Sequence, residues 1–253
     1  MTNIVITGAN GKMGRVINSV ISERDDCKVM AGIDLITDKY ADFEIYSSPA
    51  ELPEKPDVII DFSHPSALGG LLDYCLSTGT ALVAATTGYN DEQIASIKKA
   101  AEQIPVFFTF NMSLGINLLI KLAKSAAEVL GGQFDIEILE KHHNQKIDAP
   151  SGTAIMIANS INEVLDNSCQ YVYDRHSQRK KRDRNEIGLH SVRGGTIVGE
   201  HDIIFAGRDE VITLSHSAAS KEVFAVGAVN AGVFLAGQQP GIYDMAALLE
   251  SKQ

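Results

Sequence analysis

A short β-branched run, a glycine-rich turn and an amphipathic pattern follow one another at the start of the chain. Asn3 to Thr7 is typical of a strand, and apolar residues recur at helical spacing from Met13 to Ile21. Between them lies the turn Gly8-Ala9-Asn10-Gly11-Lys12-Met13-Gly14. Glycines between a first strand and a first helix let backbone amides approach a pyrophosphate at the helix N-terminus. The turn therefore predicts a parallel α/β sheet that binds a dinucleotide.

An acidic residue supports this interpretation of the turn. Asp34 ends a second predicted strand and lies 20 residues beyond Gly14, where a carboxylate accepts hydrogen bonds from the adenosine ribose. The spacing is GxxGxxG instead of the commoner GxGxxG, but the small Ala9 and the turn-tolerant Asn10 still allow close approach. A glycine turn alone is often only tight packing. Strand, helix and acid together favour dinucleotide binding, and the P-loop signature of phosphoryl transfer is absent.

Strand and helix patterns alternate through the rest of the first half. The predicted elements are a strand from Asp57 to Phe62, a helix from Pro65 to Ser77, a strand from Ala81 to Ala84, a helix from Asp91 to Gln103 and a strand from Pro105 to Phe108. Such alternation implies right-handed crossovers between parallel strands. The fold class predicted here is α/β, with a Rossmann-type doubly wound parallel sheet.

The regular alternation of predicted strands and helices ends after about Met112, which indicates a second domain. A predicted helix from Leu114 to Leu130 is followed by a strand from Phe134 to Leu139 and by a polar loop to Pro150. A helix opens at Ser151, and strands without helices between them follow from Ile187 to Ser215. Consecutive strands predict an antiparallel or mixed sheet, so the second domain is expected to be mixed α/β.

Charge and hydropathy exclude several classes of partner. The formal charge of −10 argues against nucleic-acid binding, which needs a basic surface. The basic run from Arg175 to Arg184 contains no aromatic residue for base stacking and is interpreted as a solvated loop. No apolar run reaches the length of a membrane span, and the first residues lack the layout of a secretory signal. We therefore expect a cytoplasmic protein without nucleic-acid or membrane partners.

The most unusual segment runs from Glu140 to Thr153 and reads EKHHNQKIDAPSGT. His142, His143 and Lys146 precede a helix start with exposed backbone amides, and lysine and helix amides hold carboxylates while histidine or lysine supplies protons. These parts suit the reduction of a small dicarboxylate. Adjacent histidines lack the i, i+4 spacing of a helical metal pair, so no metal is expected. The remaining histidines, His176, His190, His201 and His216, are predicted to be surface or packing residues.

Five segments closely resemble the 4-hydroxy-tetrahydrodipicolinate reductase (dihydrodipicolinate reductase) family. They are GANGKMGR at the first turn, Asp61-Phe62-Ser63, Thr86-Thr87-Gly88, the run from Asn111 to Asn117, and KHHNQKIDAPSGTA. The resemblance covers nearly the whole chain. It implies a Rossmann domain of residues 1–112 and 220–253, a substrate-binding and oligomerisation domain of residues 113–219 with a cleft between them, and a homotetramer.

The resemblance also implies roles for matching residues. His142 is expected to be the catalytic proton donor and acceptor, and Lys146 a proton donor. Substrate carboxylates are expected at the side chain of His143 and at the helix start formed by Ser151, Gly152 and Thr153. The expected dinucleotide contacts are Gly8, Ala9, Asn10, Gly11, Lys12, Met13, Asp34, Ala85, Thr86, Thr87, Thr109, Phe110, Asn111 and Met112. Ala85 replaces a glycine usual in the family, and Lys221 takes a basic position whose substrate role stays open.

The implied activity is an NAD(P)H-dependent reduction of 4-hydroxy-tetrahydrodipicolinate to tetrahydrodipicolinate, with loss of water, in diaminopimelate and lysine biosynthesis. The alternative is a related amino-acid or imine dehydrogenase, such as a diamino-acid dehydrogenase. Asp34 is followed by Leu35, where an arginine would have favoured a 2′-phosphate. Because a carboxylate repels a phosphate, NADH is expected to serve at least as well as NADPH, although Lys12 and Lys39 weaken that preference.

Overall fold

The computed structural model describes residues 1–251, which form two compact units. One unit comprises Met1–Leu114 and the segment that begins at Glu222, and the other comprises Gly115–Lys221. The chain therefore leaves the first unit once and returns to it. Each unit has its own sheet and its own hydrophobic core.

The strands within the described residues are β1 (Thr2–Thr7), β2 (Cys27–Ile33), β3 (Ile45–Tyr46), β4 (Val58–Asp61), β5 (Ala81–Ala84), β6 (Pro105–Phe108), β7 (Asp135–His142), β8 (Gln170–Val172), β9 (Glu186–Arg193), β10 (Gly199–Ala206), β11 (Val211–Ala218) and β12 (Gly241–Tyr243). The α-helices there are α1 (Lys12–Ser22), α2 (Leu68–Thr78), α3 (Asp91–Ala100), α4 (Leu114–Leu130), α5 (Gly152–Val164), α6 (Glu222–Leu235) and α7 (Met245–Glu250).

The sheet of the first unit is entirely parallel, in the order β12-β6-β5-β4-β1-β2-β3. Alternate residues of β1 face opposite cores. Ile4 and Ile6 pack with residues of α1 and α6, while Val5 packs with residues of α2 and α3. Helices on both faces explain why β5 is apolar throughout and why β4 is apolar up to its last residue, Asp61. The order, from β3 to β6, is that of a doubly wound dinucleotide-binding sheet, so the predicted fold class is confirmed.

The sheet of the second unit is mixed, in the order β11-β10-β7-β9-β8. Strand β10 runs antiparallel to both of its neighbours, while β7, β9 and β8 are parallel to one another. Residues of α4 and α5 cover one face, with Ile138, Ile157 and Phe205 fully buried between the layers. The predicted mixed α/β character of this part is confirmed.

The structure extends or adds several elements relative to the prediction. β7 continues to His142 instead of ending at Leu139, because β10 and β9 pair with it as far as Lys141 and His142. β3, β8 and β12 were not predicted, since strands of two or three residues carry almost no periodic signal. No helix in the described part of the chain is long and apolar enough to cross a membrane.

Candidate active site

The glycine turn after β1 packs tightly against neighbouring backbone. Gly8 has φ +71°, and a Cβ there would lie 2.5 Å from the carbonyl oxygen of Phe62. A Cβ on Gly14 would lie 2.3 Å from the carbonyl oxygen of Gly8. Both positions therefore require glycine, which brings the first turn of α1 close to the end of β1. Gly11 is the N-cap residue of α1, and among the described residues no side chain caps that end. An uncapped helix start beside a glycine cradle fits a pyrophosphate.

Asp34 closes the loop that follows β2 onto this turn. One carboxylate oxygen accepts the backbone N–H of Asn10 at 2.9 Å, and the other accepts the backbone N–H of Ile36 at 3.1 Å. The Asn10 side chain donates to the carbonyl oxygen of Ile36 at 2.7 Å. The glycine turn and the acid predicted to contact the ribose are thus joined directly, and Leu35, which follows Asp34, is exposed.

Asp61 organises the second predicted dinucleotide turn, and the sequence analysis assigned it no role. Its carboxylate, at the end of β4, is only 1% exposed. It accepts hydrogen bonds from the hydroxyls of Thr7, Ser63, Thr86 and Tyr89; those from Thr86 and Tyr89 are both 2.8 Å long. Thr86 is thereby fixed within the Ala85-Thr86-Thr87 turn, where Thr87 is exposed. The available signal was an aspartate at the end of an otherwise apolar strand.

The segment from Thr109 to Met112 follows β6 at the same edge of the parallel sheet. Asn111 and Met112 are buried, and the Asn111 side chain accepts the backbone N–H of Ser113 at 2.8 Å. A Cβ at Gly227 in α6 would lie 1.6 Å from the carbonyl oxygen of Met112, so this glycine allows α6 to contact the segment. Phe110 is 82% exposed, with its ring against Phe108. Phe110 lies outside the core because the strand ends at Phe108.

In the second unit, Glu140 is a buried carboxylate that joins four groups. Its side chain is fully buried near the end of β7. It accepts from both terminal nitrogens of Arg193 at 2.8 Å, from the Ser151 backbone N–H at 3.1 Å, and contacts Nδ1 of His142 at 2.5 Å. Burial alone would raise the pKa of Glu140, but the hydrogen bonds from Arg193, Ser191, His142 and Ser151 outweigh it and lower the pKa to about 2.

His142 lies at the end of β7 and is largely buried, with 8% of its surface exposed. Its ring meets the ring of His201 edge-on, with 5.4 Å between centroids. Nε2 of His201 lies 3.3 Å from the Ser151 hydroxyl, which in turn caps α5 by accepting the Ala154 N–H. Burial is the main cause that lowers the pKa of His201, to about 4, so its ring is neutral near pH 7.

The prediction that His201 stands apart from the histidine cluster was therefore wrong. His201 and Glu140 are paired residues of β10 and β7, so the sheet register brings them together across 61 positions of sequence. The sequence pattern around His201 offers no spacing that would reveal this contact. Arg193, on β9, was missed for the same reason.

Lys146 and the start of α5 already contact a carboxylate of the chain itself. Nζ of Lys146 lies 2.9 Å from Oδ1 of Asp148. Hydrogen bonds from Lys146 and, to a smaller extent, from the Gly152 backbone amide lower the pKa of Asp148. His143 is half-buried, and its carbonyl oxygen accepts the Lys146 N–H at 3.1 Å. Lys146 and Gly152, both predicted to handle substrate, thus converge on one carboxylate, whereas His142 and Ser151 converge on Glu140.

The basic segment from Arg175 to Arg184 is more than the solvated loop that was expected. Arg182 donates to Glu137 at 2.9 Å and to Asp135 at 2.8 Å, and Arg175 donates to Glu137 at 2.7 Å and to Glu186 at 2.8 Å. The two arginines therefore attach the segment to β7 and β9. Their acidic partners are distant in sequence, which is why composition alone indicated a loop.

No group of three or more histidine, cysteine, aspartate or glutamate side chains that could hold a metal ion occurs within residues 1–251.

Comparison with known proteins places both units in one family. Residues 2–112 match the family model described as dihydrodipicolinate reductase, N-terminus, and residues 115–249 match the model for its C-terminus. A 4-hydroxy-tetrahydrodipicolinate reductase of Caldanaerobacter subterraneus subsp. tengcongensis is 52% identical, covering 99% of each chain. One of Clostridium tetani is 43% identical, covering 99% of this chain and 98% of the relative. A dipicolinate-bound dihydrodipicolinate reductase from Paenisporosarcina sp. TG-14 superposes with a TM-score of 0.81 at 26% identity, covering 96% of this chain and 97% of that one. The resemblance predicted from the motifs is confirmed.

Proposed function

The chain belongs to the dihydrodipicolinate reductase family, and from this premise we propose how its residues act. It is a nicotinamide-dependent oxidoreductase that reduces 4-hydroxy-tetrahydrodipicolinate to tetrahydrodipicolinate, with loss of water, in diaminopimelate and lysine biosynthesis. The observation in the structure that carries this conclusion is the carboxylate of Asp148, bound by Lys146 and the start of α5. Groups that bind the carboxylate of Asp148 can also bind a carboxylate of a dicarboxylate substrate.

The substrate carboxylates bind where Asp148 now lies. Lys146 supplies a positive charge, and the α5 start supplies the amides of Gly152 and Thr153 at the positive end of a helix dipole. His143, whose carbonyl oxygen accepts the Lys146 backbone N–H, contacts a carboxylate as well. Because each such contact contributes only about 0.3–2 kcal/mol, several are needed to offset the hydration of a dianion. Entry of substrate displaces Asp148 from Lys146.

His142 and Lys146 handle the proton. A reduced nicotinamide, when bound, supplies the hydride. His142 presents one ring nitrogen to Glu140 and keeps Nε2 for exchange of a proton with the substrate or with water. Lys146 donates a proton to the nitrogen side of the substrate ring as negative charge develops there. Burial of Ser151, Glu140 and His142 keeps bulk water away from the His142 ring, while Lys146 is only partly buried.

The first unit holds the dinucleotide. The Gly8–Met13 turn and the uncapped start of α1 would bind the pyrophosphate, Asp34 would bind the adenosine ribose, and the Ala85–Thr87 turn and Thr109–Met112 would contact the nicotinamide part of the cofactor. NADH serves at least as well as NADPH, because Asp34 repels a 2′-phosphate. The nearby Lys39 pairs with Glu44 at 2.7 Å, which further supports this preference. Comparing kcat/KM for the two cofactors tests it, and a large NADPH advantage contradicts it.

The enzyme is a cytoplasmic homotetramer assembled through the second unit. One face of the mixed sheet is covered by α4 and α5. On the other face Val211, Thr213, Ser215 and Ser217 of β11 are exposed to solvent in the single chain. Val192 and Val211 on that face are exposed apolar side chains, which supports assembly with further copies that would cover them. Light scattering tests the mass, and a monomer at assay concentrations overturns this part of the proposal.

A coupled assay tests the reaction itself. The substrate is made in situ by a synthase, and turnover is followed as loss of reduced-nicotinamide absorbance. We expect turnover that depends on the synthase. No turnover there, together with turnover on a diamino acid, favours the alternative dehydrogenase.

A further inference from the structure

We propose that Glu140 is the positioning residue of this site, and that it fixes the tautomer of His142 and the start of α5 at the same time. The inference rests on the proposed function, since it concerns how the imidazole of His142 and the carboxylate cradle are held. The carboxylate cradle consists of Lys146 and the backbone amides of Gly152 and Thr153. Glu140 does not contact the substrate in that scheme. It acts through His142 and through Ser151.

The charge of Glu140 determines which ring nitrogen of His142 carries a proton. Arg193 binds both carboxylate oxygens and keeps the carboxylate ionised despite the burial of the side chain, so Glu140 can only accept hydrogen bonds. Nδ1 of His142, at 2.5 Å, must therefore carry the proton. A neutral His142 then has an unprotonated Nε2, ready to accept a proton.

The surroundings hold the imidazole in this orientation. The ring of His201 packs edge-on against it, and a Cβ on Gly199 would lie 3.2 Å from Nε2 of His142. Gly199 thus lets the strand β10 pass close to the ring without crowding Nε2. A flip of the ring would exchange Nδ1 for a carbon at Glu140 and lose the charge-assisted hydrogen bond.

Glu140 also fixes the amides of the carboxylate cradle. Its Oε1 accepts the backbone N–H of Ser151 at 3.1 Å, and Ser151 is the N-cap of α5. Arg193, held by Glu140, also donates to the carbonyl oxygen of Asp148 at 2.5 Å, at the other side of the cradle. The proton-handling ring and the amides of Gly152 and Thr153 are therefore oriented by one buried group.

The variant Glu140→Gln distinguishes the positioning role of Glu140 from a merely structural one. Glu140→Gln keeps size and shape, but the amide can donate to Nδ1 of His142 and so favours the proton on Nε2. The matched control is Glu137→Gln on the same strand, since Glu137 also binds arginines (Arg175 and Arg182) and a histidine, His190 at 2.6 Å. Both variants lose a charged acceptor of arginine and histidine, but only Glu140→Gln alters His142.

The experiment measures kinetics and imidazole ¹⁵N chemical shifts of the full-length enzyme, with the His142 signal assigned by its loss in His142→Gln. We expect the Nδ1–H tautomer in the wild type and in Glu137→Gln, and the Nε2–H tautomer in Glu140→Gln. The kcat of Glu140→Gln should fall by about 10²–10⁴-fold with little change in KM for the dinucleotide, while Glu137→Gln keeps wild-type kcat.

Two results overturn the inference. One is a wild-type His142 protonated on Nε2, which needs no variant and so decides the matter even if Glu140→Gln does not fold. The other is a folded Glu140→Gln with wild-type kcat. Failure of the proposed function would appear differently, as absence of turnover by the wild type, while the tautomer measurement still tests Glu140.

Discussion

Replacing Gly227 by alanine tests whether α6 fixes the predicted dinucleotide segment from Thr109 to Met112. A Cβ at position 227 would lie 1.6 Å from the carbonyl oxygen of Met112 and 2.8 Å from its carbonyl carbon. Non-bonded carbon atoms attract best at about 3.5–4.0 Å, so backbone must move. Alanine gains about 1 kcal/mol of helix propensity, whereas overpacking costs about 1–3 kcal/mol or more. Because a 1.6 Å contact with backbone belongs at the severe end of that range, we expect a net loss of about 2 kcal/mol in the free energy of unfolding.

The matched control is Gly232→Ala in the same helix. There a Cβ would meet side-chain atoms and no backbone, namely Cδ1 and Cγ1 of Ile60 at 3.1 and 3.4 Å and Cγ1 of Val58 at 3.6 Å. Thermal unfolding should show a Tm about 4–8 °C lower for Gly227→Ala, and a Tm near that of the wild type for Gly232→Ala. Steady-state kinetics should show a raised KM for NADH only in Gly227→Ala. A Gly227→Ala enzyme with wild-type Tm and KM would refute the assigned contact.

Three further predictions address single side chains. Lys146→Ala should lower kcat by about 10²-fold or more and leave the dinucleotide Kd nearly unchanged; an unaltered kcat in single-turnover experiments removes Lys146 from the chemistry. Asp61→Asn should lower the free energy of unfolding in urea by about 2–4 kcal/mol and raise KM for NADH, and a wild-type midpoint would count against the hydroxyl cluster. The pKa of His201 is lowered from 6.5 to about 4 chiefly by burial, so the unfolded state binds more protons between these pH values. The contribution of His201 to the free energy of unfolding should therefore be complete above pH 6.5 and should fall toward pH 4 by about 3 kcal/mol at most. His201→Gln should flatten this dependence of stability on pH, while the exposed control His176→Gln keeps it. Equal slopes in all three proteins would contradict the burial of His201.

The parts of the site that could be predicted from sequence are those built from contiguous residues. The glycine turn lies between a strand and a helix, and the segment from His142 to Thr153 is one run of chain, so local spacing is enough to predict a ligand for each. Asp34 was predictable because its distance from Gly14 reflects the length of one βα unit.

The remaining parts depend on strand register, which single-sequence patterns do not show. Glu140 meets His201 and Arg193 only because β7 lies between β10 and β9. Asp61 meets Thr7 and Thr86 because β4 lies between β1 and β5. Arg182 was assigned to a solvated loop because its partners, Asp135 and Glu137, precede it by more than forty residues.

A crystal structure of the enzyme with dinucleotide and dipicolinate tests the central claim most directly. We expect a dipicolinate carboxylate at about 3 Å from Nζ of Lys146 and from the Gly152 and Thr153 amides, with Asp148 displaced from Lys146. Dipicolinate bound elsewhere, with Asp148 still on Lys146, would contradict the assignment of the segment from His142 to Thr153 as the substrate site.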